Sequence, residues 1–236
     1  MSDAWDGDLA AWWVEEVADD PAYREDVDPL LASLIPQKAT GILLDGGCGD
    51  GRLLGRFGET VGVDRSRDLA ARASDGGLVA VADLESLPFG DSTFSGAYLV
   101  LVLEHLHDPK PVLAEVARVV APGGWLAVVL NHPVFTAPAS GPLIDPEDGE
   151  VSWRWGAYLA PGHSDEPAGG RRVRFHHRPV GSLLSSFAAT GWCLETLEER
   201  PVLAGGDSIL AAQVGIPRLL GGRWRRVHPT SDEEVR

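Results

Sequence analysis

Leu43–Leu53 reads LLDGGCGDGRL. Four of its eleven residues are glycine, and two carboxylates, Asp45 and Asp50, stand among them. Glycines let a backbone approach a ligand without Cβ clashes, and turns of this kind usually cradle phosphate. Acids are out of place there. A P-loop needs Lys-Ser or Lys-Thr after its last glycine, whereas Gly51 is followed by Arg52 and Leu53. A dinucleotide turn needs G-x-G-x-x-G, but counting from Gly47 the third glycine comes one residue early, at Gly51. The spacing is D-x-G-x-G-x-G, carried by Asp45, Gly47, Gly49 and Gly51.

Outward from this turn the chain alternates between short apolar runs and helical periodicity. Residues 42–44, 60–64, 78–83, 94–102 and 125–131 read as strands. The segment RLLGRFG (52–58) reads as a helix start, 66–74 as a helix, and 110–122 as an amphipathic helix ended by PGG. Nearly continuous apolar strands separated by helices predict a doubly wound α/β fold whose mostly parallel sheet has both faces covered. Ligands of such sheets bind outside the carboxyl ends of the strands.

Asp45 ends the first strand and faces that crevice. A carboxylate there repels pyrophosphate and attracts a cation. S-adenosylmethionine has an ammonium group, a sulfonium and no phosphate, and its carboxylate can take backbone N–H groups of the turn and the helix expected after it. Three further stretches follow in order: VGVDRS (61–66), ADLESLPFGDSTF (82–94) and LVLVLEHLHD (99–108). With these four motifs the chain resembles the class I S-adenosylmethionine-dependent methyltransferases, in the broad group with DxGCGxG and LPFxDxxF patterns. The likeness is strong over about residues 41–131. The flanks resemble a little-characterised bacterial branch.

The resemblance implies a seven-stranded Rossmann-like sheet and a cofactor site of Asp45, Gly46, Gly47, Cys48, Gly49, Gly51, Asp64, Arg65, Asp83, Leu84 and Leu101. Asp64, nineteen residues after Asp45, would accept from the ribose hydroxyls. Its plainer role is a helix N-cap, which Ser66 can fill instead. Asp83 would accept from the adenine amino group, against a plainer role as a turn acid, and Leu84 would wall the ring. Glu104 and His105 match the family's LEHL. His105 is a candidate base because an unperturbed histidine titrates near neutrality, and its plainer role is to order the loop. Asn131 and His132 stand at the tip of strand five, where they would flank the transferred methyl. The family usually has Phe-Asp where this chain has Phe94-Ser95, and an aliphatic residue where it has Gly46.

The remaining segments frame that core. The chain reads as a single domain over 1–236: an N-terminal helical cap (1–40), the cofactor-binding core (41–131), a lid insertion after strand five (133–178), and a C-terminal helix and strands (179–227). In the cap, helices are expected over 8–18 and 27–36, and Trp5, Trp12, Trp13 and Tyr23 would cover the site. The lid lacks clear periodicity. Its Trp153, Trp155 and Tyr158 would cover an acceptor, and Arg171, Arg172 and Arg174 would hinge it or steer an anionic one. Residues 180–190 read as a helix capped by Gly191, 192–200 as a strand and 216–226 as a last strand weakened by Gly221 and Gly222. The end, 228–236, reads as frayed.

Formal net charge is −15 over 236 residues. Nucleic-acid affinity draws on neutralised phosphates, so the balance argues against RNA although arginines cluster late in the chain. No apolar run is long enough to span a membrane, and the acidic N-terminus lacks a secretory signal's basic region. Two cysteines, Cys48 and Cys193, suit a cytoplasmic protein with reduced thiols. Nothing has the spacing of a metal site, HHR at 176–178 being too short. The expected activity is methyl transfer to a small-molecule acceptor. An RNA or protein methyltransferase and a non-catalytic cofactor-binding partner protein are the alternatives, and oligomeric state is not legible.

Overall fold

In the computed structural model, residues 5–17, 20–168, 171–203 and 215–227 are described. The expected fraying of 228–236 lies outside them. The strands that carry the site are β1 (Leu43–Gly46), β2 (Thr60–Asp64), β3 (Leu78–Val81), β4 (Phe94–Val100) and β5 (Val120–Asn131). With β10 (Trp192–Arg200) and β11 (Leu219–Arg226) they form a seven-stranded sheet of order β10-β11-β5-β4-β1-β2-β3. β1 pairs in parallel with both β2 and β4. Chain order reverses there, so the topological switch point falls at the carboxyl end of β1, where the glycine turn begins. β11 runs antiparallel between β5 and β10.

Both faces are buried. Helix α2 (Asp28–Leu34) covers one, setting Leu30, Leu31 and Leu34 against Tyr98, Trp125 and Val129. Helices α4 (Lys110–Val119) and α6 (Val180–Ala189) cover the other, where Phe187 stacks on Trp224 with ring centroids 3.8 Å apart. The glycines that weaken the last strand on paper have a packing role. A Cβ on Gly221 would stand 2.7 Å from Leu30 Cδ1, so glycine lets α2 lie close on the sheet.

Three expectations are corrected. Residues 52–58 form turns and bends, not a helix. Gly51, Gly55 and Gly58 all take positive φ, which breaks a right-handed run. Helix α4 ends at Val119 and β5 starts at Val120, earlier than the expected 125. The pairing steps from Phe94↔Val120 to Gly96↔Trp125, so Ala121–Gly124 form a bulge inside one strand. The segment expected to be irregular is built: α5 (Pro133–Thr136), a hairpin of β6 (Gly141–Ile144) with β7 (Val151–Arg154), and a hairpin of β8 (Gly162–Ala168) with β9 (Arg171–His177). Gly169 and Gly170 lie outside the described residues.

At the N-terminus α1 (Asp8–Trp12) widens into a π turn over Trp13–Val17, and a second π turn, Tyr23–Val27, leads into α2. Among the described residues no helix is long and apolar enough to cross a membrane.

Candidate functional site

Gly47 and Gly49 turn the chain off β1 with φ of 73° and 55°, a backbone that L side chains rarely adopt. Asp64, at the end of β2, latches this turn. Its Oδ2 accepts from Gly49 N at 2.8 Å and its Oδ1 from Ser66 N at 2.8 Å. Ser66 caps α3 (Arg67–Ala73), its Oγ accepting from Leu69 N at 3.1 Å. The cap thus belongs to serine. Each carboxylate oxygen of Asp64 retains acceptor capacity beyond its one N–H.

These residues border a cavity of about 470 Å³. Gly47, Gly49, Asp64, Arg65, Asp83, Leu84 and Leu101 from the expected set line it, and so does His105. Asp83 keeps a turn role as well, its Oδ1 accepting from Glu85 N at 3.0 Å. Leu101 sits at the tip of β4 with φ of 56°, a strained conformation of the kind found at ligand sites.

Four other expected residues lie beneath the turn. Gly46 ends β1, and a Cβ there would come 2.5 Å from Leu99 Cδ2, so glycine lets the Leu99 side chain pack against the strand. A Cβ on Gly51 would stand 2.8 Å from the Ala73 Cα, so Gly51 brings the turn against α3. Cys48 is buried, and burial pushes its thiol pKa up. Asp45 is buried, and its Oδ2 has no hydrogen-bond partner.

Asn131 and His132 are corrected. Asn131 turns its amide to Glu104, whose Oε1 accepts from both Asn131 N and Nδ2, at 3.0 and 2.9 Å. His132 is buried, donates from Nε2 to Glu199 Oε1 at 2.7 Å, and accepts from Val134 N at Nδ1 at 3.0 Å. Both ring nitrogens are committed, and neither residue reaches the cavity wall. They join the tips of β4, β5 and β10.

The segment expected to cover an acceptor is also built differently. Trp153 stacks on Phe135, and Trp155 meets Tyr158 edge-on. None of Trp153, Trp155 and Tyr158 borders the cavity, which takes Val173, Arg174 and His176 from β9 instead. Arg174 pairs with Asp165 across the hairpin (Nε to Oδ1, 2.8 Å), and Arg172 donates to the Asp165 carbonyl. These two arginines are held within the hairpin, and Arg174 also borders the cavity; the side chain of Arg171 lies outside those described. Arg178 ties the hairpin's end to the loop after β4, donating to Leu103 O at 3.1 Å and to Leu106 O. Trp5 and Trp13 also line the cavity, held by Ser66 Oγ donating to Asp6 Oδ1 (2.7 Å) and by Gly7 N donating to Asp68 Oδ2 (2.7 Å). Trp12 packs with Leu9 and Val173. The helical pattern hinted at these tryptophans, whereas nothing in the sequence placed His107 or His176 on the wall.

S-adenosylmethionine fits these residues. Asp45 stands behind the cavity wall, not on it as expected, but its buried carboxylate oxygen without a partner suits an ammonium group at the turn, Asp64 keeps acceptor sites, and glycine backbone leaves the wall bare. Burial, and secondarily the charge of Asp64, pushes the Asp45 pKa up to about 8. In the free protein this group is therefore mostly protonated at pH 7. A raised carboxyl pKa contributes stability that is full below the unfolded value near 4 and is lost as pH rises through about 8. Thermal stability of the free protein is expected to fall between pH 5 and 8.5, and Asp45→Asn is expected to flatten that slope. An unchanged slope in the variant would remove Asp45 as its source. Cofactor binding at pH 7 should release a proton, visible as a buffer-dependent binding heat that Asp45→Asn abolishes.

A methyltransferase domain family matches residues 44–128, which span β1 to most of β5. The chain is similar to a crystallised S-adenosylmethionine-dependent methyltransferase from Mesorhizobium loti, 29% identical, with a TM-score of 0.71 over 84% of this chain and 96% of that one. It is 27% identical over 190 residues to an uncharacterised methyltransferase of Schizosaccharomyces pombe, covering 69% of this chain and 65% of that protein. It is also 35% identical over 113 residues to the O-methyltransferase cnsE of Penicillium expansum, covering 41% of each. The chain thus spans less than two thirds of the length of these curated relatives. The domain match falls on the strands that carry the glycine turn, and the Mesorhizobium loti likeness runs through the flanks as well, so residues 44–128 form a methyltransferase domain and the fold around them is that of an S-adenosylmethionine-dependent methyltransferase.

Proposed function

We propose that this protein transfers the methyl group of S-adenosylmethionine to a small-molecule acceptor. The observation that carries this reading is a single cavity lined both by Gly47, Gly49 and Asp64 and by His105, His107 and His176. The cofactor supplies a methyl group already activated on a sulfonium, so the chain's residues have to bind, orient and exclude water. In this reading Asp45 meets the ammonium, Asp64 the ribose hydroxyls, and Asp83 with Leu84 the adenine. The remaining volume, walled by Leu106, Val173 and His176, takes the acceptor, with the N-terminal tryptophans as its cap and β8–β9 as its cover. A relative from Amycolatopsis mediterranei, named as a 27-O-demethylrifamycin SV methyltransferase, is in keeping with a small acceptor. The net charge of −15 weighs against RNA.

Incubation with labelled methyl donor and a panel of hydroxyl, amino and thiol compounds, bulk RNA and protein tests this. Label in a small molecule is the expected result. Label confined to RNA or protein would overturn the acceptor class, and cofactor binding without any transfer would favour a non-catalytic role.

A further inference from the structure

The side chain of His105 is held from three sides. It follows β4 in the 3₁₀ turn Leu103–His105 and borders the cavity. Its Nδ1 lies 3.1 Å from the carbonyl oxygen of Arg174 on β9. A carbonyl oxygen only accepts, so Nδ1 carries the proton of this bond. In the neutral ring the lone pair is then on Nε2. Trp5 meets the ring edge-on at 5.1 Å and Phe175 lies tilted at 5.0 Å, so the ring plane is fixed as well. The backbone of one hairpin thus sets the tautomer, and aromatic groups from two separate segments set the orientation.

Of the charged groups around it, the Arg174 guanidinium and one oxygen of Glu104 are engaged elsewhere, while Glu104 Oε2 is buried without a partner. Glu104, next in the chain, turns its Oε1 to Asn131, and the Arg174 guanidinium is paired with Asp165. His107 and His176 border the same cavity. Burial, with Arg178 and His107 next in effect, pushes His176 down to about 4, so it is neutral at pH 7. The other walls near His105 are Leu101, Val102, Leu106 and Val173.

From this geometry we infer that His105 is the general base for an acceptor presenting a phenolic hydroxyl. The inference rests on the methyltransferase reading above. A phenol is un-ionised near neutrality, its pKa being about 10, so its oxygen needs a base as it becomes a nucleophile. A thiol ionises more readily, and an amine attacks through its own lone pair. The apolar walls and Trp5, which lines the cavity beside His105, suit an aromatic ring. In the step, an oxygen lone pair forms the O–CH₃ bond as the S–CH₃ bond breaks and its electron pair stays on sulfur. The O–H proton passes to Nε2. The products are a methyl ether, a neutral thioether and an imidazolium that returns its proton to solvent.

The tautomer is read directly in the full chain by long-range ¹H–¹⁵N correlation at pH 8 in the presence of S-adenosylhomocysteine, with His105→Gln identifying the signals. Nδ1 is expected to be protonated and Nε2 unprotonated, and adding 4-methylphenol should shift the Nε2 resonance upfield. A protonated Nε2 at that pH, or no response to the phenol, would overturn the proposal. In turnover, His105→Gln should lower kcat for 4-methylphenol by about 100-fold or more. The loss should be much smaller for 4-nitrophenol, which is largely ionised at pH 8. Equal losses for the two would mean that His105 only orders the loop, and preferential methylation of amines or thiols would overturn the acceptor class. Absence of methyl transfer to every compound would instead fail the underlying function, while the nitrogen spectra still decide the tautomer.

Discussion

Asp64→Ala is expected to raise the Kd for S-adenosylhomocysteine 10- to 100-fold, a loss of about 1–3 kcal/mol from hydrogen-bonding groups left unpaired in the site. The structure adds a second cost. The same carboxylate accepts the N–H groups of Gly49 and Ser66, and it is 8% exposed. Alanine would leave both donors without a partner, so stability should fall by a further amount of about 1–3 kcal/mol. Asp64→Asn should lie between the two, because an amide has one accepting oxygen and would turn its NH₂ toward the other donor. Calorimetric titration and thermal unfolding separate the effects. Lost stability with full affinity would make Asp64 a latch for the turn and end its assignment to the ribose.

Gly49→Val is expected to abolish detectable cofactor binding, with Kd raised more than 100-fold, while the protein stays folded. Gly49 has φ of 55°, which costs an L residue about 1–2 kcal/mol, and β-branching makes valine worse. The protein itself leaves room there, since only Trp13 Nε1 lies within reach of a Cβ, at 3.5 Å. The added methyl groups would therefore occupy the cavity instead of breaking the core. Gly51→Val is the contrasting control. Its Cβ would collide with the backbone of Ala73 at 2.8 Å, so that variant should lose folding before it loses binding. Circular dichroism with titration of the demethylated cofactor checks both. Normal binding by a folded Gly49→Val protein would mean that the turn is not the cradle.

Much of this site was readable in one dimension because its parts are local. Asp45, Gly47, Gly49, Asp64, Asp83 and Leu101 each follow a run of alternating or continuous apolar residues, and a parallel sheet delivers all such ends to one edge. The Ser66 cap was readable for the same reason, since it answers to a donor three residues away. The turns at 52–58 were misread because an apolar run resembles a helix start until the φ values of Gly51, Gly55 and Gly58 are known. The placement of Asn131 and His132 was misread because their partners, Glu104 and Glu199, lie 27 and 67 residues away.

The lid shows where local reading ends. Residues 133–178 carry prolines, glycines and tryptophans without a period, so they suggested a mobile cover, and the two hairpins are stabilised by cross-strand pairs that periodicity does not reveal. Which aromatic residues meet the cavity depended on that pairing. It turned Trp153 onto Phe135 and brought Val173, Arg174 and His176 to the wall. By itself, then, the sequence determined the fold class, the cofactor class and seven of the residues that line the cavity, because period, spacing and turn chemistry act within a few residues of each other. The tertiary structure alone brought His105, Val173 and His176 to one cavity and set the Nδ1 contact of His105, because the carbonyl it meets comes from a strand 69 residues further along the chain.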